Sequence, residues 1–165
     1  MKKIITSLFF IFLTIHGVFA VENREKLTIT AEKVEIFREK NEIIFTSKVV
    51  AKRNNFTLYT DKMIVNYTES KGNKINITNI KAEKNVKFTT EKITATGDNG
   101  FYNVAQNLIT LNNNVKATES GITVFAKKFE YNTITGKTNI IGNKTEKEKV
   151  VIILDDVENL KNKKE

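Results

Sequence analysis

From Leu27 onward, apolar and polar positions alternate with a period close to two, which predicts half-buried β-strands. Leu27, Ile29 and Ala31 fall on one face, and Thr28 and Thr30 on the other. Further along, Val86 and Phe88 flank Lys87, and Ile122, Val124 and Ala126 alternate with Thr123 and Phe125. Thr, Ile, Val, Phe and Tyr dominate these runs, the types that pack on a pleated surface. Turn-forming clusters divide the runs: Lys52-Arg53-Asn54-Asn55, Ser70-Lys71-Gly72-Asn73, Asn112-Asn113-Asn114, Ser120-Gly121 and Thr135-Gly136. Each predicts a chain reversal. No stretch beyond residue 20 carries a 3.6-residue period, so the expected fold is all-β. Val150-Val151-Ile152-Ile153-Leu154 is almost wholly apolar and is expected to be the last strand, with both faces covered.

Stacking the strands reveals a repeat. Ala31-Glu32-Lys33-Val34-Glu35-Ile36 returns as Thr60-Asp61-Lys62-Met63-Ile64-Val65, then more loosely from Gly97 and from Ala126, at spacings of 29, 37 and 29 residues. A second element runs in step with it: Lys48-Val49-Val50-Ala51, Asn85-Val86-Lys87-Phe88 and Asn114-Val115-Lys116-Ala117, 37 and 29 residues apart. Such a unit cannot bury its apolar face alone and must stack on its neighbours.

The first twenty residues read differently. Lys2 and Lys3 precede the apolar run Ile4–Ile15, and small-type residues stand at Val18 and Ala20, the pattern of a cleaved secretory signal. The run is shorter than the roughly 20 residues needed to span a bilayer. Retention of Met1–Ala20 as an anchor is the competing reading. The expected organisation is therefore a signal at 1–20, one β domain at 21–156 and a charged, disordered tail at 157–165.

Composition then narrows the chemistry. The 165 residues carry 27 Lys+Arg and 19 Asp+Glu, and the charge of +8 falls to +6 once Lys2 and Lys3 are removed. There is no Cys, and the single His is His16, inside the leader. A chain cleaved after Ala20 would have no Ser–His or Cys–His nucleophile, no thiolate metal ligand and no imidazole base. Carboxylate pairs remain, notably Asp155-Asp156 and Glu32 with Glu35. Adjacent strand residues point to opposite faces, so Asp155 and Asp156 do not flank one bond. No enzyme, no cofactor and no metal site is expected. The N-x-S/T strings at Asn55, Asn66, Asn76 and Asn143 are glycosylation patterns by spelling alone. The basic excess is spread along the chain, which fits a solvated face, with phosphate recognition at a binding mouth as the alternative. Nucleic acid is not an expected partner, since no aromatic-interleaved basic motif occurs.

The string Ala126-Lys127-Lys128-Phe129-Glu130-Tyr131-Asn132, continuing through Thr135-Gly136-Lys137, resembles the A-D-K-x-x-Y…T-G unit of the OstA-like family of lipopolysaccharide-transport proteins. Ala95-Thr96-Gly97-Asp98 through Tyr102, followed by Leu108-Ile109-Thr110-Leu111-Asn112, is similar to that family's A-T-G-D…Y…I-x-L-x-G/N unit. The likeness covers about Leu27 to Leu154. It departs at Lys127, where the family has Asp, and at Asn99-Gly100, where it has a Lys/Arg-plus-aliphatic pair.

The resemblance implies an open antiparallel β-jellyroll, two sheets in a twisted V, lying in the periplasm. It further implies an apolar trough that takes the acyl chains of lipopolysaccharide (lipid A), and head-to-tail self-association. An LptC-like inner-membrane partner and an LptD-like outer-membrane partner are implied in the same way. By alternation, the inner face carries Leu27, Ile29, Ile36, Phe88, Tyr102, Val104, Phe129 and Tyr131, the candidate lipid-binding set. The candidate edge for strand addition is Val150, Val151, Ile152, Ile153 and Leu154. Two other readings stay open at this point. One is a structural or adhesive β-repeat protein with a sealed core; the other is an LptC-like component that keeps its anchor.

Overall fold

A computed structural model describes residues 26–53, 55–70, 74–142 and 149–154. The expected leader at Met1–Ala20, the pair Asp155-Asp156 and the expected tail at 157–165 lie outside these residues. Ten strands form one antiparallel sheet: β1 (Thr28–Thr30), β2 (Lys33–Phe37), β3 (Glu42–Arg53), β4 (Phe56–Ser70), β5 (Lys74–Thr89), β6 (Ile93–Asn103), β7 (Leu108–Glu119), β8 (Ile122–Asn132), β9 (Thr138–Ile141) and β10 (Val151–Leu154). Strands β3 to β8 pair in sequence order, β1 and β2 both pair with β3, and β9 and β10 both pair with β8. The only helix among the described residues is a 3-10 turn at Arg38–Lys40.

The long strands are bent rather than straight. Register shifts fall between Thr46 and Val49, Tyr59 and Lys62, Glu83 and Val86, Thr96 and Asn99, and Asn112 and Val115. Bulges increase local bending and twist, and these stand side by side across the sheet. They fold it into two leaves. The first holds β1, β10 and residues 49–53, 56–60, 86–89, 93–96, 115–119 and 122–126. The second holds β2, β9 and residues 42–46, 62–70, 74–83, 99–103, 108–112 and 128–132.

The two in-step sequence motifs are the two sides of this corner. Ser47-Lys48, Lys84-Asn85 and Asn113-Asn114 all have positive φ, between 48° and 67°, on β3, β5 and β7. The acids of the other motif, Glu32 between β1 and β2, Asp61 on β4 and Asp98 on β6, bond to them. Glu32 pairs with Lys48 Nζ at 2.6 Å, Asp61 accepts from Asn85 Nδ2 at 2.7 Å, and Asp98 accepts from Asn114 Nδ2 at 2.9 Å. Each contact ties down a residue in the left-handed region, where asparagine is better tolerated than bulkier side chains. Thr60 completes the corner from inside: its buried hydroxyl lies 2.9 and 3.0 Å from the carbonyls of Glu83 and Lys84.

Two expectations are corrected here. Asn112-Asn113-Asn114 is not a reversal but a bend within β7. Positive φ at two consecutive residues serves either purpose, and only pairing with β6 and β8 on both sides of the bend decides between them. The reversals predicted at Ser120-Gly121 and Thr135-Gly136 do stand between strands. The apolar run at Val150–Leu154 does form a final strand, but its faces are open: Val151, Ile152, Ile153 and Leu154 are 47–58% exposed. It has one neighbour, β8, and no strand or leaf lies over it among the described residues.

Candidate functional site

The inner faces of the two leaves meet in an apolar interior. Phe88 of the first leaf packs against Phe129 and Tyr131 of the second, with ring centroids 5.9 and 5.0 Å apart. Phe56 meets Tyr102 edge-on at 5.9 Å. At the centre, Phe88, Phe129, Met63 and Leu111 are all 0% exposed, so the middle is closed by side chains. Gly100 contributes to this closeness. A Cβ there would lie 3.1 Å from Val86 Cγ1 and 3.3 Å from Leu111 Cδ2. The departure from the family pattern at this position is thus matched by bulk from β5 and β7.

Cross-strand register shows where the interior stops being closed. One inner row runs Ile36, Ile43, Val65, Ile80, Tyr102, Ile109, Tyr131. A parallel row runs Val34, Phe45, Met63, Ala82, Gly100, Leu111, Phe129, Ile140. Both are buried from β4 to β8, half-buried at Ile43 and Phe45, and open at β2, where Val34 is 49% and Ile36 59% exposed. Across from them on the first leaf, Leu27 and Ile29 are half-buried against the core. At the opposite end, a cleft between the leaves is lined by Ile93, Ile122, Val124, Phe129 and Ile140. The apolar interior is therefore closed in the middle and accessible at both ends.

The eight inner-face candidates divide accordingly. Phe88, Tyr102, Phe129 and Tyr131 are buried, and Leu27, Ile29 and Val104 are partly buried against the same core. Ile36 keeps the inner register but faces solvent, because β2 lies at the sheet's edge and, among the described residues, no further strand shelters it.

A polar group along the mouth of the V was not singled out from the sequence. Arg53 Nη1 donates to Tyr102 Oη at 2.7 Å, across the two leaves. Asn55 Nδ2 donates to the carbonyl of Thr133 at 2.7 Å, and Thr133 N donates to Asn107 O at 2.8 Å. Alternation offered a signal: after Val49 and Ala51, Arg53 takes the next inward position. The surrounding Lys52-Arg53-Asn54-Asn55 reads as turn chemistry and masks it.

Three lysines on the outer face of the second leaf meet acids, with Lys33–Glu35 at 3.2 Å, Lys62–Glu83 at 3.0 Å and Lys128–Glu130 at 2.5 Å. The hydrogen bond from Lys128, helped by one from Asn139, holds the Glu130 carboxyl below its ordinary value against the opposing effect of burial. On the first leaf, Lys87 lies over Tyr59 and Lys116 over Phe125, each 5.8 Å from the ring centre. These are modest surface contacts.

No curated protein sequence matches the chain. Among solved structures, 21 chains match. One is LptH from Pseudomonas aeruginosa, described as the LptA-homologous periplasmic component of the lipopolysaccharide transport device. It superposes with a TM-score of 0.66 at 16% identity, over 80% of this chain and 96% of that one, a likeness of fold. The family model described as "LptA/(LptD N-terminal domain) LPS transport protein" matches residues 28–137. That span runs from β1 to the turn after β8, the whole bent sheet except β9 and β10, and so the chain belongs to the LptA/LptD N-terminal domain family of lipopolysaccharide-transport proteins.

Proposed function

We propose that the protein is a non-enzymatic periplasmic carrier that shields the acyl chains of lipopolysaccharide between its two leaves. The observation that carries this reading is the continuity of the inner apolar rows, buried at β4–β8 and running out to exposed Val34 and Ile36 on β2. A solvent-facing extension of a core face is what a binding groove needs and what a sealed core avoids. Burial contributes about 0.8 kcal/mol per CH₂, so several chains offset the cost of separating the leaves. In this reading Leu27, Ile29, Ile36 and Val104 meet the lipid first. Phe88, Tyr102, Phe129 and Tyr131 form the floor, reached when the leaves part.

The sheet edges support head-to-tail association. Among the described residues, β10 has one neighbour, and β1 and β2 have one each. Pairing the Val151–Leu154 edge with the first strands of another copy would cover apolar side chains now in water. An LptC-like inner-membrane partner and an LptD-like outer-membrane partner would meet the two ends of such a stack.

The test is a photoreactive residue placed in turn at Ile29, Ile36 and Tyr59. Ultraviolet light should give a lipopolysaccharide adduct at Ile29 and Ile36, and none at Tyr59 on the outer face. Adducts absent from every inner position would leave the β-repeat protein with a sealed core as the better reading.

A further inference from the structure

We propose that Arg53, Asn55, Tyr102 and Thr133 form a subsite for an anionic phosphoryl group at the mouth of the trough. It would take the headgroup of the amphipathic ligand whose chains lie between the leaves, and so rests on the carrier reading above.

Three chain segments distant in sequence converge here. Arg53 ends β3 on an inward position, opposite Phe56 in the β3–β4 register, and its guanidinium reaches across the leaves to Tyr102. A guanidinium offers five N–H donors in a planar fork that suits a phosphoryl oxygen pair. Asn55 ties its own turn to the backbone of Thr133, so the Arg53 end of the first leaf and the Thr133 turn of the second stand on one rim. Thr133 supplies the independent sign of a ligand. It is only 6% exposed, yet its Oγ1 has no hydrogen-bond partner among the described residues. Burying a hydroxyl without a partner is unfavourable, and folded proteins seldom leave one so. A phosphoryl oxygen accepting from Thr133 Oγ1 would satisfy it.

The surroundings strengthen such contacts. Phe56 packs on Tyr102, and the polar group borders the aromatic interior of Phe88 and Tyr131. Charge-assisted hydrogen bonds gain strength where water is excluded. Lys33, Lys62 and Lys128 of the second leaf lie on its outer face, away from this rim. An amphipathic ligand with chains inside and its anionic end at the rim would satisfy the apolar rows and the polar group together.

The experiment compares an acylated diglucosamine lipid bearing its phosphates with the same lipid after phosphate removal. Both are titrated into the full protein by calorimetry, alongside inorganic phosphate alone. The phosphorylated lipid should bind roughly tenfold tighter, the scale of one charge-assisted contact. Arg53→Gln should remove that preference, so that the lipid with and without phosphates binds it equally. Thr133→Val should reduce it a few-fold, and Arg53→Lys should keep part of it. Lys87→Gln, on the outer face, should change nothing. A preference that survives Arg53→Gln, or falls equally with Lys87→Gln, overturns the subsite and leaves the carrier reading standing. Inorganic phosphate binding as tightly as the lipid would assign the group to free phosphate and overturn the headgroup role. If neither lipid binds, the carrier reading fails and the subsite with it. Should Arg53→Gln fail to fold, Arg53→Lys and Thr133→Val carry the same comparison.

Discussion

The middle of the bent sheet and its first edge are built from the same alternation but do different things. At β4–β8 the inward residues Met63, Leu111, Phe88 and Phe129 are fully enclosed, whereas at β2 the inward residues Val34 and Ile36 stand half in water. Nothing in residue type separates the two groups. The difference is position in the strand order: a central strand has neighbours on both sides and the opposite leaf above it, while among the described residues β2 has only β3. Apolarity on an inward face therefore contributes stability in one place and accessible surface in the other.

This contrast can be broken most forcefully at the centre. Phe129→Ala should destabilise the fold by about 3–5 kcal/mol, read as a lowered urea midpoint. Ile36→Ala should stay within about 0.5 kcal/mol of the parent while reducing lipid adduct formation. If both substitutions cost the same, the edge is packed as tightly as the centre. Next in size is Gly100→Val. Its branches would press on Val86, Ala82 and Leu111, costing about 1–3 kcal/mol.

The corner comes third, because it decides whether the leaves face each other at all. Asn114→Val puts a branched residue at φ 48° and removes the contact to Asp98, for about 1–3 kcal/mol. Asn114→Gly loses the contact but accepts the φ, and should cost much less in the same melt. Charges placed on the last strand should barely move stability. Ile152→Lys with Leu154→Lys sits on residues already exposed, yet should abolish concentration-dependent oligomers in sedimentation. The smallest effect is acidic. Glu130 has a lowered folded pKa, so its bond to Lys128 contributes above the ordinary value of 4.5 and is lost as pH falls through the folded value. Glu130→Gln should flatten that segment of the stability–pH curve and leave neutral pH little changed.

Much of the fold was legible in the chain. Alternation located the strands because side chains on a strand point to opposite faces whatever their partners. The repeat was legible too, and its two motifs mark the corner, since only certain residues accept positive φ beside an acid on the next strand. What escaped was the kind of bend at Asn112–Asn114, and the cover over Val151–Leu154. Both depend on the neighbouring strand, which a local pattern does not contain. Arg53 and Thr133 escaped for the same reason. They are 80 residues apart and brought to one rim by the folding of one leaf over the other.

The sequence by itself determined the all-β class, the strand faces, the repeat and the absence of thiol and imidazole chemistry beyond residue 20, because each follows from residue identity and spacing. Tertiary structure alone decided which inward residues are sealed and which face water, and which polar groups meet across the leaves. Burial and convergence are set by what lies on the far side of the sheet, and that is fixed only when the leaves close on each other.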